Sequence, residues 1–354
     1  MDKDNIKYAG IDIGDKTSLV RIIDSEGEFL KELRIPTTRK SLAQEFGEIA
    51  PMQIALEVGG HSRWMSQDLK KYGHDVTVAN PSKVRLVYKN PRKSDRIDAD
   101  YLAKLLRFEP ALLEPIEHRS NASQKDLALL RSRDALVRAR TSLINQARGI
   151  VKSFGERLPS CKTDAFSKKA RAHIPSALKA ALDPIVDTIQ ILTDQIKAFD
   201  KKIERLCQEE YPETEKMRQI KGVGPITALA YVLTIEDPKR FHKSREVGAY
   251  LGMVPRRSQS GEVDPEKRIT KTGDKYLRRM LVGSAQYILG PFGPETKLRN
   301  WGLRLAERGS KRAKHKATVA VARKLAVLLH KLWISGEDYH PFYPERKIVD
   351  ADTE

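Results

Sequence analysis

The first hundred residues constrain the fold most, because their apolar spacing changes from short runs to helical periods in a defined order. IKYAGIDI (6–13), SLVRIID (18–24) and EFLKELRI (28–35) read as three strands, with Gly27 in the turn before the third. Two tight turns between three strands predict a β-meander. A helix near 40–48, the apolar run MQIALEV (52–58), a helix over 62–72, the strand HDVTVAN (74–80) and a helix from Ser94 follow. The order βββαβαβα predicts a mixed α/β domain.

Beyond it the pattern is helical. Leu129, Leu136, Leu143 and Ile150 recur every seven residues, and Leu130, Val137, Ile144 and Val151 do so one step along. After Gly155 and Pro159 a second helix carries Ile185, Ile189, Leu192, Ile196, Phe199, Ile203 and Leu206 at spacings of three and four. These seams predict a coiled-coil hairpin or a dimer contact, with ordinary helix packing as the alternative. Short helices joined by glycine-rich and basic loops follow IKGVGPITALAYV (220–232), giving a mainly α C-terminal part. The expected divisions are 1–112 for the α/β domain, 113–212 for a helical connector, 213–338 for the basic domain and 339–354 for a tail.

Charge narrows the partner. The 354 residues carry 65 Lys and Arg against 47 Asp and Glu, a net of +18. Between Arg256 and Lys324 the count is 18 against 6, leaving +12 in that segment. Such a single-sign block points to a polyanion. Nucleic acid comes first and an anionic membrane surface second, since no apolar run is long enough to span a bilayer. The polar start MDKDNIKY has no signal-peptide core, and Cys161 and Cys207 form neither a CxxC pair nor a zinc pattern. A reducing cytoplasm is the expected compartment.

Four acids stand out. Asp12 ends the first strand, Glu57 ends the fourth, and Asp95 and Asp98 lie three apart in KSDRIDADYLA. Each alone has an ordinary explanation: a turn for Asp12, with Asp15 beside it, a turn cap for Glu57, and a helix N-terminus capped by Ser94 for Asp95. Together they sit on elements that a sheet can bring side by side. Clustered carboxylates repel unless a hard cation offsets them, and oxygen ligation suits magnesium or manganese. Two such ions can clamp the attacking and leaving oxygens of a phosphodiester.

Asp12, Glu57 and the KSDRIDAxxLA segment resemble the DEDD transposases of the insertion-sequence-110 family, which include the Piv-type invertases. Ser94 departs from the threonine more usual before the first aspartate. The resemblance implies an RNase-H-like domain similar to the Holliday-junction resolvase RuvC, with Asp12, Glu57, Asp95 and Asp98 as metal ligands. Further along, LGMVPRRSQSGEVDPEKRITKTGDKYLRRML is similar to the same family's C-terminal transposase domain. It implies a nucleophilic serine, for which Ser260 matches best and Ser258 competes. Arg256, Arg257, Lys267, Arg268 and Lys271 lie close in sequence and could offset phosphate charge.

IKGVGPITA resembles half of a helix-hairpin-helix, in which Gly222 and Gly224 allow a tight turn against phosphate; a plain Gly-Pro turn is the alternative. Arg278, Arg279, Lys311, Arg312, Lys314 and Lys316 are expected phosphate contacts, giving salt-dependent affinity. The family resemblance implies a DNA recombinase that cuts and rejoins strands, works as a homo-oligomer with domains from different subunits in one site, and is guided by a noncoding bridge RNA. Two other readings stay open: a metal-dependent structure-specific nuclease without serine chemistry, and a non-catalytic nucleic-acid-binding protein.

Overall fold

The computed structural model describes residues 6–80, 94–257, 259, 267–307 and 309–342. They form two compact units that divide after His118.

The first unit is built on a five-stranded mixed sheet. Its strands are β1 (Tyr8–Asp12), β2 (Thr17–Ile23), β3 (Phe29–Pro36), β4 (Gln53–Glu57) and β5 (Asp75–Ala79), in the spatial order β3-β2-β1-β4-β5. The meander β1–β2–β3 is antiparallel, as its short turns predict, and β4 and β5 add in parallel to β1. The parallel additions require crossovers, which the helices α1 (Arg39–Phe46) and α2 (Ser62–Lys71) supply.

Both faces of the sheet are covered, which explains the short apolar runs in β1 and β4. Ala9, Ile11, Ile54 and Leu56 point to one face, where Leu42 and Phe46 of α1 and Met65 and Leu69 of α2 close the core. The other face packs Ala55 and Ala79 against Leu102 and Leu106 of α3 (Asp95–Phe108). Ser94 caps α3, its hydroxyl accepting from the Ile97 N–H at 3.4 Å. The helix ends before Glu109–Pro110, where proline disfavours further α geometry.

The second unit is helical. Its long helices α4 (Asn121–Ser153) and α6 (Lys179–Glu209) flank the short α5 (Phe166–Arg171). Arg133 donates to Asp200 at 2.5 Å and Arg140 to Thr193 at 3.3 Å, so α4 and α6 run antiparallel, as a hairpin. Of the two heptad rows on α4, Leu130, Ile144 and Val151 are buried while Leu129, Leu143 and Ile150 are half-buried. The packed row meets Val186 and Ile189 at one end of the pair and Ile203 and Leu206 at the other. Buried Arg140 lies between the two apolar clusters.

The rest of this unit comprises α7 (Thr214–Arg218), α8 (Pro225–Ile235), α9 (Glu246–Tyr250), α10 (Lys275–Leu289), α11 (Lys297–Ala306) and α12 (Lys311–Ser335). Every residue of α8 from Thr227 to Ile235 is buried, so this helix is hydrophobic all round and forms the axis of the core. Leu277 and Leu281 of α10 and Val321, Leu325 and Leu329 of α12 pack around it. The Tyr231 hydroxyl, fully buried, donates to the Ala326 carbonyl at 2.7 Å. The helical connector expected at 113–212 shares this core, because Leu127, Leu130 and Ile203 belong to the same cluster. No helix of the described residues is long and apolar enough to cross a membrane.

Candidate functional site

Asp12 and Glu57 end two neighbouring parallel strands. The register pairs Ile11 with Leu56, so the next step along both strands brings Asp12 level with Glu57. Residues level on parallel strands share a face, and alternation assigns Asp12 to the face of Gly10 and Glu57 to that of Ala55. This is the face that α3 covers. A Cβ on Gly10 would lie 1.9 Å from the Ala99 carbonyl oxygen and 2.7 Å from the Ala103 nitrogen. Glycine therefore lets α3 approach β1 far more closely than any side chain would, two residues from Asp12 on the strand and one from Asp98 on the helix.

Asp98 lies in the buried stripe of α3 with Ala99, Leu102, Ala103 and Leu106, and is 9% exposed. Asp95 does not join it. Positions three apart on a helix differ by about 60° around the axis, and Asp95, the first helical residue, is exposed. The expectation that both aspartates share one direction is corrected to this extent: Asp98 faces the sheet, and Asp95 stands exposed on the first turn of α3. Among the described residues no group of three or more His, Cys, Asp or Glu is arranged to hold a metal ion. Asp12, Glu57 and Asp98 are thus directed to one face of the sheet by register and helix face, and Asp95 stands apart from them.

A charge ladder that sequence reasoning missed fastens the start of α3 to the meander. Arg96 grips Glu32 through two bonds of 2.8 Å, Arg21 reaches Glu32 at 2.8 Å, and Arg21 also reaches Asp100 at 3.1 Å. The Arg96 bonds, with Arg21 adding to them, hold the Glu32 carboxyl below the usual carboxylate range. Arg21 on β2 and the charges of mixed sign on β3 were the available signal, but the partner on α3 is more than sixty positions away.

In the second unit, the residues flanking the candidate serine form an antiparallel pairing. Pro255 bridges Ile269, the Arg256 N–H donates to the Arg268 carbonyl at 2.9 Å, and Thr270 N–H donates to Val254 at 2.9 Å. Ser258 and Ser260 lie outside the described residues. Arg256, Arg257, Lys267, Arg268 and Lys271 are exposed along this ribbon. The expected phosphate contact Arg278 is largely engaged elsewhere: its Nη1 donates to the carbonyls of Leu251 and Thr272 at 2.9 and 2.8 Å, tying the ribbon's base to α10. Arg279 is exposed but bonded to Asp134 at 2.7 Å.

Gly222 adopts φ +101°, and a Cβ there would lie 2.8 Å from the Tyr287 ring. Both conditions require glycine. Gly224 caps α8, with Pro225 at its first position. A cavity of about 500 Å³ opens here, with Arg218, Lys221 and Arg279 on its walls. Lys311 begins α12, and Arg312, Lys314 and Lys316 follow on its first turns, the last three carrying exposed side chains.

Comparison with known proteins gives these features a class. Residues 9–155 match a family model described as a transposase of the DEDD, IS110 type, and residues 214–299 match one described as the transposase IS116/IS110/IS902 family. A putative transposase of Sinorhizobium fredii is 31% identical over 315 residues, covering 87% of this chain and 79% of its own. The transposase for insertion sequence element IS1328 of Yersinia enterocolitica is 30% identical over 292 residues, covering 80% and 84%. A pilin gene-inverting protein of Moraxella lacunata is 25% identical over 263 residues, covering 72% and 71%. The class is that of the DNA transposases. Within it, the chain belongs to the IS110 family. Membership makes it an enzyme of DNA cleavage and strand transfer.

Proposed function

We propose that the chain is a serine-dependent recombinase of an insertion element. Its sheet unit is an RNase-H-like, RuvC-like carboxylate domain, and Ser260 is its nucleophile. The observation that carries the carboxylate half is the close approach of α3 to β1 at Gly10, which brings Asp98 toward the strand ends of Asp12 and Glu57. The strand order and the parallel β1–β4 pair support the fold assignment.

The donor set fits a hard divalent cation. It is oxygen-only, with two carboxylates at adjacent strand ends and a nine-tenths-buried third on the facing helix. Asp12, Glu57 and Asp98 would hold magnesium or manganese, with Asp95 completing the set from the exposed turn. When bound, the ion offsets charge on the phosphate and its oxygens.

Ser260 attacks phosphorus through its hydroxyl oxygen. A new P–O bond forms, the bond to the departing sugar oxygen breaks, the serine proton leaves, and the departing oxygen takes a proton. Arg256, Arg257, Lys267 and Arg268 border this segment and stabilise the phosphate. The Gly222–Gly224 turn, with Arg218 and Lys221, cradles a backbone phosphate. A noncoding bridge RNA supplies target choice, consistent with the +18 charge. The chain works as a homo-oligomer, and the half-buried row Leu136, Leu143 and Ile150 on α4 offers a seam for it.

The test is to trap the covalent protein–DNA adduct on a cleavable junction substrate and map its attachment. Ser260→Ala abolishes the adduct and Ser258→Ala retains it. Attachment at Ser258, or strand transfer by the Ser260→Ala protein, overturns the assignment.

A further inference from the structure

A groove of about 1710 Å³ runs along α12 in the second unit. One stripe of that helix lines it throughout, through Arg312, Lys316, Arg323, Val327, Lys331 and Ser335. The spacings of four and seven keep these side chains along one side of the helix over about 35 Å. Lys267, Arg268 and Lys271 of the ribbon form one side of the groove, and Lys297, Trp301 and Arg304 of α11 contribute to the other. Ten Lys or Arg and two acids line it, and of the acids Asp338 is neutralised by Lys216 at 2.6 Å.

The groove also has an apolar floor. Leu298, Val327, Leu328 and Leu332 line it beside the Trp301 indole, which is half-buried with the Lys324 ammonium 4.0 Å from its ring centre. The placement of Trp301 is built into the helix crossing. A Cβ on the adjacent Gly302 would lie 2.5 Å from the Val321 side chain and 2.7 Å from that of Leu289, so glycine brings α11 onto α12.

Cations alone suit any polyanion. Duplex DNA presents phosphates outward and keeps its bases stacked, so it gains nothing from an apolar, indole-bearing floor. An unpaired strand gains from both, with phosphates on the charged walls and exposed base faces on the floor. The established activity supplies such strands as DNA, and the ribbon lining the groove flanks the segment that carries Ser258 and Ser260.

We propose that this groove binds an unpaired DNA strand, with Trp301 as the base-stacking platform. The inference rests on family membership and not on the serine–carboxylate assignment.

The test uses the full chain and a fluorescein-labelled oligothymidylate, read by fluorescence polarisation. Duplex DNA, oligouridylate and oligoglutamate serve as competitors. Trp301→Leu keeps an apolar side chain but removes the aromatic face, and is expected to weaken oligothymidylate binding about tenfold while duplex binding holds. Lys331→Gln is expected to lower the salt slope for the single strand by about 0.7. Trp301→Phe, a second variant for the case in which leucine unfolds the protein, recovers most of the affinity. Thermal midpoints show which variants are folded.

Unchanged single-strand affinity in folded Trp301→Leu overturns the proposal, as does an equal loss for duplex. Competition by oligoglutamate or oligouridylate at least as strong as by unlabelled oligothymidylate also overturns it, in favour of an acidic peptide or an RNA strand. The Ser260→Ala protein keeps full oligothymidylate binding here. Failure of the groove and failure of the serine assignment are thus read separately.

Discussion

The two units use charge in opposite ways. In the sheet unit the acids of interest are few, sit at the ends of strands or on a buried helix face, and depend on tight backbone approach. In the helical unit the cations are many, exposed and repeated along one stripe of α12. Rigid strand ends suit chemistry, which needs groups held within fractions of an ångström. A long helical stripe suits binding to a polyanion, where many weak contacts add and no single one is decisive. The carboxylates of the sheet unit should therefore respond to substitution all-or-none, and the cations along α12 in a graded way.

The largest expected effect breaks the comparison if it fails. Asp12→Asn or Asp98→Asn should lower strand cleavage by about a thousandfold or more, measured as product from a labelled junction substrate. Thermal midpoints show which variants remain folded. Cleavage within tenfold of the parent would place the sheet unit in the graded class.

Next is Gly10→Val. Its side chain would have to displace the Ala99 carbonyl, so α3 shifts on the sheet. Overpacking of this kind costs about 1–3 kcal/mol. Calorimetry should show a lowered unfolding transition, and cleavage should fall with it while DNA affinity holds. An unaltered transition would mean that the helix–strand approach does not organise the acids.

A smaller effect sharpens the other side. Arg312→Gln and Lys316→Gln should each weaken single-strand binding a few-fold and lower the salt slope by about 0.7, with the double variant close to additive. A loss of all binding from one of them would show a decisive contact in the unit expected to lack one.

The smallest effect concerns the ladder that orients α3. Glu32 has its folded pKa lowered, so its contribution is present at neutral pH and is lost as pH falls through that lowered value. Glu32→Gln should reduce cleavage a few-fold at neutral pH. Hydrogen–deuterium exchange at the start of α3 should rise, and the difference from the parent should vanish toward the acid end. A difference that persists there would assign the effect to packing.

Local structure was legible in the sequence because it is set by neighbours. Alternation, tight turns and the Ser94 cap defined five strands and the first three helices to within about two residues, and the net +12 segment marked the basic surface. The tertiary structure decided what depends on distant partners. It set the parallel β1–β4 register that levels Asp12 with Glu57, and it separated buried Asp98 from exposed Asp95. It also chose Leu130, Ile144 and Val151 over an equally spaced row. Arg278 is drawn from the phosphate-contact set by the carbonyls of Leu251 and Thr272, and Trp301 enters the groove through the Gly302 crossing. Periodicity specifies which side chains share a face; the packing of that face against remote elements decides which are buried, paired or presented to a ligand.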